Sequence, residues 1–177
     1  MASGAASRRA SVEAGEDDER IPLRHRNDDC DWRARSVMRS AGIVNMRADN
    51  PPSKMETALA GHAMGASVAR AAPKLTNPVK ADEANLVAGA RLYSDHCTLC
   101  HGDPAHPKSP LADSLNPPAP QFATDMADMP EEQNFFILQH GIRWTAMPGW
   151  KTVLSEQQIW QPVTFLSHMH DLPAAAK

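Results

Sequence analysis

Apolar residues along this chain fall into short helical stripes, divided by proline-rich polar stretches. In DEANLVAGARLYSDHC (82–97), Leu86, Ala90, Tyr93 and Cys97 follow at steps of four, three and four, which is one face of a helix. Asp82 stands where an N-cap belongs, with acidic Glu83 in the first turn. Gly89 lies beside that face. A glycine inside a helix costs about 1 kcal/mol against alanine, so its place here predicts a close crossing with another helix. PEEQNFFILQHG (130–141) reads as a second helix, with Pro130 at its first turn and Gly141 as its stop. A last helix opens at Ser155, with Gln158 completing a capping box. Ile159, Val163 and Leu166 form its stripe, Trp160 lies beside it, and Pro162 predicts a kink.

Between these helices the pattern is irregular. Residues 102–129 contain six prolines ahead of Pro130, and loops beyond about 12–15 residues are unusual unless they serve a site. IRWTAMPGWKTV (142–153) is again loop. Upstream, KMETALAGHAMGASVARAA (54–72) is helix-prone and poor in large apolar groups. Met55, Leu59, His62/Ala63 and Ala66 share its expected docking face, unless the whole segment is a linker. The expected organisation is a disordered or misassigned extension over 1–50, a helical segment and linker over 51–80, a folded domain over 81–173 and a tail over 174–177. The fold class is all-α, but three short helices around a long loop cannot build a large core alone.

Composition sharpens this reading. Aromatic residues make up 5% of the 177 positions and the mean hydropathy is -0.46, poor material for a core. The net charge of -3 hides a split: residues 1–80 carry 13 basic and 10 acidic side chains, net +3, and residues 81–177 carry 5 and 11, net -6. A nucleic acid would be repelled by the second half, and the first mixes its signs too closely for a basic patch. Three cysteines, Cys30, Cys97 and Cys100, are too few for a disulfide scaffold. No 18-residue apolar stretch and no signal-peptide pattern is present as written.

The chemistry concentrates in DHCTLCHGD (95–103). Two cysteines three apart with a histidine behind the second admit three readings. Zinc would take Cys97, Cys100 and His101 with His96 or His106, but His101 abuts Cys100 and leaves little backbone to wrap a tetrahedron. A redox dithiol belongs at a helix start after a strand, and here a helix precedes it and no strand pattern exists. Haem c fits without strain. Cys97 and Cys100 form its two thioethers, His101 binds the iron, and the buried macrocycle supplies the missing core surface.

Iron then needs a sixth ligand or an open position. A methionine thioether favours ferrous iron and raises the potential. Candidates are Met126, Met129, Met147 and Met169. Met147 lies in TAMPGW, where Pro148 stiffens the chain and Gly149 permits a turn, so a loop between two helices presents it. His140 would give a bis-histidine iron, although a histidine in a last helical turn is also favoured for capping.

Over residues 82–172 the chain resembles a class I (mitochondrial-type) monohaem cytochrome c of the small bacterial electron-transfer kind, in GARLYSDHCTLCHG, HGIRWTAMPGW and LSEQQIWQPVTFLSHM. The resemblance implies a cytochrome c fold of three to five short helices around one haem. Cys97 and Cys100 would attach it, His101 and Met147 would be the axial ligands, and Gly89 and Tyr93 would meet Trp160 and its neighbours. It implies single-electron transfer between membrane-associated respiratory or dehydrogenase partners, in the periplasm or on the outer face of the cytoplasmic membrane. Residues 59–80 also resemble the segment before the haem domain of some membrane-anchored bacterial cytochromes c, which carry an upstream anchor not seen here. With net -6 on the haem half, the redox partner is expected to offer a basic docking face. The rival functions are a peroxidase or gas-binding haem enzyme with dissociable Met147 and His140 or His106 over the iron, and a structural or sensory haem domain.

Overall fold

The helices of the sequence reading recur in the computed structural model, which describes residues 45–174. Expectations for residues 1–44 and 175–177 lie outside the described residues. Among the described residues five α-helices follow in order: α1 Lys54–Ala71, α2 Glu83–His96, α3 Thr98–His101, α4 Glu131–His140 and α5 Glu156–Ser167. Short 3-10 turns lie at Ala112–Ser114 and Met169–Asp171, and no strand occurs among the described residues. The fold is all-α, as expected.

The helix ends follow from their side chains. Asp82 accepts from the Asn85 N–H at 2.9 Å, satisfying a donor with no partner inside α2. Ser155 and Gln158 close the capping box, with Ser155 N–H donating to Gln158 Oε1 at 3.0 Å. Ser53 and Glu56 build a second box at the head of α1. Pro130 stands immediately before α4, where its missing N–H costs nothing. Helix α5 runs unbroken through Pro162, which is buried.

Packing centres on the crossing of α2 with α5. A Cβ placed on Gly89 would overlap the Gln161 carbonyl oxygen and stand 2.9 Å from Phe165 Cβ, so only hydrogen lets the two backbones approach this closely. Around the crossing, Leu86, Tyr93, Phe165, Leu166, Met169 and Leu172 form one apolar cluster. The Tyr93 and Phe165 rings meet at 5.3 Å. The other side of α5 packs on α4, where Phe135 stacks on Trp160 at 4.0 Å within a second cluster that includes Leu138, Ile159 and Val163. Burying each such large side chain contributes roughly 1.5–3 kcal/mol. The core is therefore two small clusters along one helix.

The docking face expected for α1 is corrected by the structure. Met55 and Leu59 are 79% and 71% exposed, and His62, Ala63 and Ala66 are exposed with them. Val68 is buried instead, with Met64 and Gly65 half-buried, so the opposite face meets α4. Periodicity identified a stripe but could not say which side of so weakly amphipathic a helix would be covered. Downstream, Asn77 Nδ2 donates to Glu131 Oε2 at 3.1 Å and to Thr164 Oγ1 at 2.9 Å, and Val79 packs on the second cluster. Asn77 is thereby bonded to both α4 and α5.

Two glycine substitutions separate close approach from helix propensity. Gly89→Ala should destabilise the protein by about 3 kcal/mol, because backbone rather than a movable side-chain tip opposes the new methyl. Gly61→Ala in α1, where a Cβ meets nothing within 4 Å, should stabilise by roughly 0.5–1 kcal/mol. Thermal melts of the two variants beside wild type check both signs. A harmless Gly89→Ala would refute the crossing.

Candidate functional site

Helix α2 delivers the cysteines. The Cys97 N–H donates to Tyr93 O at 2.8 Å, ending α2, and the chain turns directly into α3. The N–H groups of Cys100 and His101 both return to Cys97 O, at 3.1 and 2.9 Å, so Cys97 to His101 is one compact helical turn. Both thiols are unbridged and half-buried. Cys97 packs against the first apolar cluster. Burial, reinforced by Cys100, pushes the Cys97 thiol up to about 12.

His101 is held by the irregular region that follows. Its Nδ1 lies 2.8 Å from Pro120 O, and a carbonyl only accepts, so Nδ1 carries the proton and a neutral ring leaves its lone pair on Nε2. The ring stacks on Phe122 at 4.8 Å. Burial lowers its pKa, against an opposing pull from the Pro120 carbonyl, and so favours the neutral imidazole that a metal requires. Tyr93 Oη donates to Gly102 O at 2.9 Å, and burial raises its pKa, which keeps it a neutral donor.

Residues that sequence reasoning missed fasten the loop to this turn. Gln121 donates to Cys100 O at 3.0 Å and accepts from the Ser109 N–H at 2.7 Å. Ser109, itself buried, donates to Leu99 O at 2.5 Å. The one sequence signal was the loop's length, which pointed to a task without naming the residues.

Met147 arrives on a second rigid loop. Ile142 N–H donates to Met147 O at 3.1 Å, and the Met147 N–H donates to Thr145 Oγ1 at 3.1 Å. Gly141, at φ 72, and Gly149 close this loop on the end of α4. A Cβ on Gly141 would lie 2.7 Å from Met147 O, and one on Gly149 2.8 Å from His140 O. Trp150 N–H then donates to Leu138 O at 2.8 Å. The Met147 side chain is half-buried against the second cluster. His96, next to Cys97, meets the Trp150 ring at 4.9 Å, a direct contact between the cysteine segment and this loop.

The other candidates are placed differently. Met169 is buried in the first cluster as core. Met126 is 73% exposed, and Met129 is half-buried in the loop before α4. His140 is exposed and leans on Phe136 at 4.6 Å. Among the described residues no three His, Cys, Asp or Glu side chains gather as a zinc site would require. A redox dithiol needs an accessible thiolate, and the upward shift of Cys97 opposes one.

The family model for cytochrome c oxidase, cbb3-type, subunit III, matches residues 84–166. Those residues are a class I c-type monohaem cytochrome domain. The match runs from α2 into α5 and takes in the cysteine turn and the Met147 loop. No curated protein matches the chain. A cytochrome domain of this kind carries covalently bound haem c and serves as an electron carrier. The residues present fit that group: two unbridged thiols, an imidazole whose Nδ1 is already engaged, and a thioether, with Cys97 against one small apolar cluster and Met147 against the other.

The cytochrome domain's Met147 loop depends on its glycine contacts. Gly149→Ala should force the loop off α4 and cost the holoprotein roughly 2 kcal/mol. Thr152→Ala, at an exposed position of the same segment, should change stability by less than about 0.5 kcal/mol. Denaturant titration of both tests whether the loop is clamped.

Proposed function

We propose that the chain carries single electrons through one haem c, attached by Cys97 and Cys100 and ligated by His101 and Met147. The observation that carries this reading is the His101 ring, tied through Nδ1 to Pro120 O within the turn that also presents both cysteines. Such an outer partner fixes the tautomer and the orientation of a ligating imidazole. When bound, the haem supplies a one-electron ferric/ferrous couple. The protein's part is to hold its ligands still: Tyr93, Gln121 and Ser109 bind the backbone of the cysteine turn, and Gly141 and Gly149 fix the loop bearing Met147. His101 and Met147 would hold the iron and leave no coordination position open to substrate, and their fixed loops would keep reorganisation small when the oxidation state changes.

The partners in this reading are membrane-associated respiratory or dehydrogenase complexes. The matched family's description favours a terminal oxidase among them. The place of work is the periplasm or the outer face of the cytoplasmic membrane. No helix among the described residues is long and apolar enough to cross a membrane.

Acidic acetone should leave the haem on the wild-type chain and remove it from a Cys97→Ala, Cys100→Ala double variant. Free extraction from wild type would overturn the reading of both cysteines. Met147→Ala should lower the reduction potential, abolish the near-infrared thioether-to-iron band of the oxidised protein and admit carbon monoxide to the reduced one. Met147→His should keep carbon monoxide out while still lowering the potential. A Met147→Ala protein with wild-type potential and carbon monoxide resistance would move the ligand to Met126 or Met129.

A further inference from the structure

Helix α1 carries an apolar stripe that its own domain leaves uncovered. Every residue from Lys54 to Ala63 is exposed, and Val68 is the buried residue of the helix. Met55 and Leu59 stand 79% and 71% exposed, one turn apart on the outer side. An isolated helix shorter than about 12–15 residues is marginal in water, because few bonds offset its nucleation. The Ser53–Glu56 capping box holds the first turn, but no described residue buries this outer side.

The stripe is graded in size. Met55, Leu59, Ala63, Ala66 and Arg70 follow at steps of four, four, three and four, one face of a helix. Its first half is large and its second half small. Laid parallel on a copy of itself, it would set Met55 on Met55 and leave Ala66 facing Ala66 across a gap. Laid antiparallel, it sets the large half of each helix over the small half of the other, which fills the space between them.

Charge has the same symmetry. Glu56 and Arg70 stand seven residues, about two turns, to either side of Ala63, and both are exposed. Glu56 Oε2 accepts from the Ser53 N–H at 3.3 Å, and Arg70 has no ion-pair partner among the described residues. A two-fold axis at Ala63 brings each Glu56 beside the partner's Arg70, so one pattern makes two ion pairs.

We propose that α1 is a self-association surface, on which two copies of this chain pair antiparallel. Met55, Leu59, Ala63 and Ala66 form the apolar seam, and Glu56 and Arg70 make the reciprocal charge contacts. The helix precedes the matched residues 84–166, so this surface is separate from the cytochrome domain and independent of the electron-carrier reading. One helical stripe is small beside the roughly 20–30 residues per partner of a standard interface, so the dimer is weak and reversible.

Sedimentation equilibrium of the full-length holoprotein tests this between about 10 μM and about 1 mM, where a weak dimer changes population. The wild-type average mass should rise towards that of a dimer, and Leu59→Asp should abolish the rise. Arg70→Glu should lower the association constant about tenfold, because it sets like charges together at both ends. Glu56→Gln keeps an acceptor for the Ser53 cap. It should weaken association in the wild-type background and strengthen it in the Arg70→Glu background, a reversal that only direct coupling produces. In a Cys30→Ser background, Ala63→Cys should be oxidised to a disulfide-linked dimer by molecular oxygen, which takes up the two thiol protons and their electrons. Met55→Cys should link about tenfold more slowly, since the antiparallel pair holds those positions apart. All variants should keep the wild-type absorption spectrum and melting temperature to within a few degrees. A wild type that stays monomeric throughout overturns the proposal. Equal linking at positions 55 and 63 makes the pair parallel and overturns it as well. Binding to phosphatidylcholine–phosphatidylglycerol vesicles that Leu59→Asp abolishes, without self-association, assigns the face to a membrane surface instead.

Discussion

The approach of α2 to α5 at Gly89 is the contact on which the other placements depend. Because the Gln161 carbonyl occupies the space a methyl would need, the helices cross at backbone distance. Tyr93, one turn further along α2, is then brought onto Phe165, and its hydroxyl reaches the Gly102 carbonyl beyond the cysteine turn. On the other side of α5, Trp160 receives Phe135 and sets α4, whose end carries the Met147 loop. One missing side chain therefore bears on the placement of both the cysteine turn and the Met147 loop. The two apolar clusters are small and lie along one helix, which is why loops rather than helices supply most of the hydrogen bonds that aim His101 and Met147.

Much of this was legible in the sequence, for local reasons. The Asp82 cap, the Ser155–Gln158 box and the Gly141 stop are short-range chemistry, and each helix end lies where those residues put it. Gly89 was legible because a glycine inside a helical stripe needs a cause. The Cys97, Cys100 and His101 spacing pointed to a haem-bearing domain, and the family match agrees with that kind of domain. What stayed illegible depends on distant partners. Gln121 and Ser109 look like ordinary polar loop residues until the fold brings them to the backbone of Cys100 and Leu99. The face of α1 was misjudged because Met55 and Leu59 outweigh Val68 in a stripe count, whereas α4 selects the smaller residue.

The split in charge has the same lesson at larger scale. A net value for half the chain averages over several screening lengths, each roughly 8–10 Å, across which attraction between exposed charges is largely lost. Contact is decided residue by residue, and around Met147, where residues 133–155 hold Arg143 and Lys151 and no acidic side chain, the sign is the reverse of the total. A domain arranged in this way has a charge asymmetry that orients it in an approaching partner's field before any surface touches.

The bonds of Asn77 have a mechanical consequence. The chain upstream of the cytochrome domain enters through a side chain bonded to Glu131 at the head of α4 and to Thr164 in the middle of α5. Tension applied from the N-terminal side is therefore taken up by α4 and α5 before it reaches α2. The bonds such a load meets ahead of α2 are therefore those of Asn77 and not those of the cysteine turn.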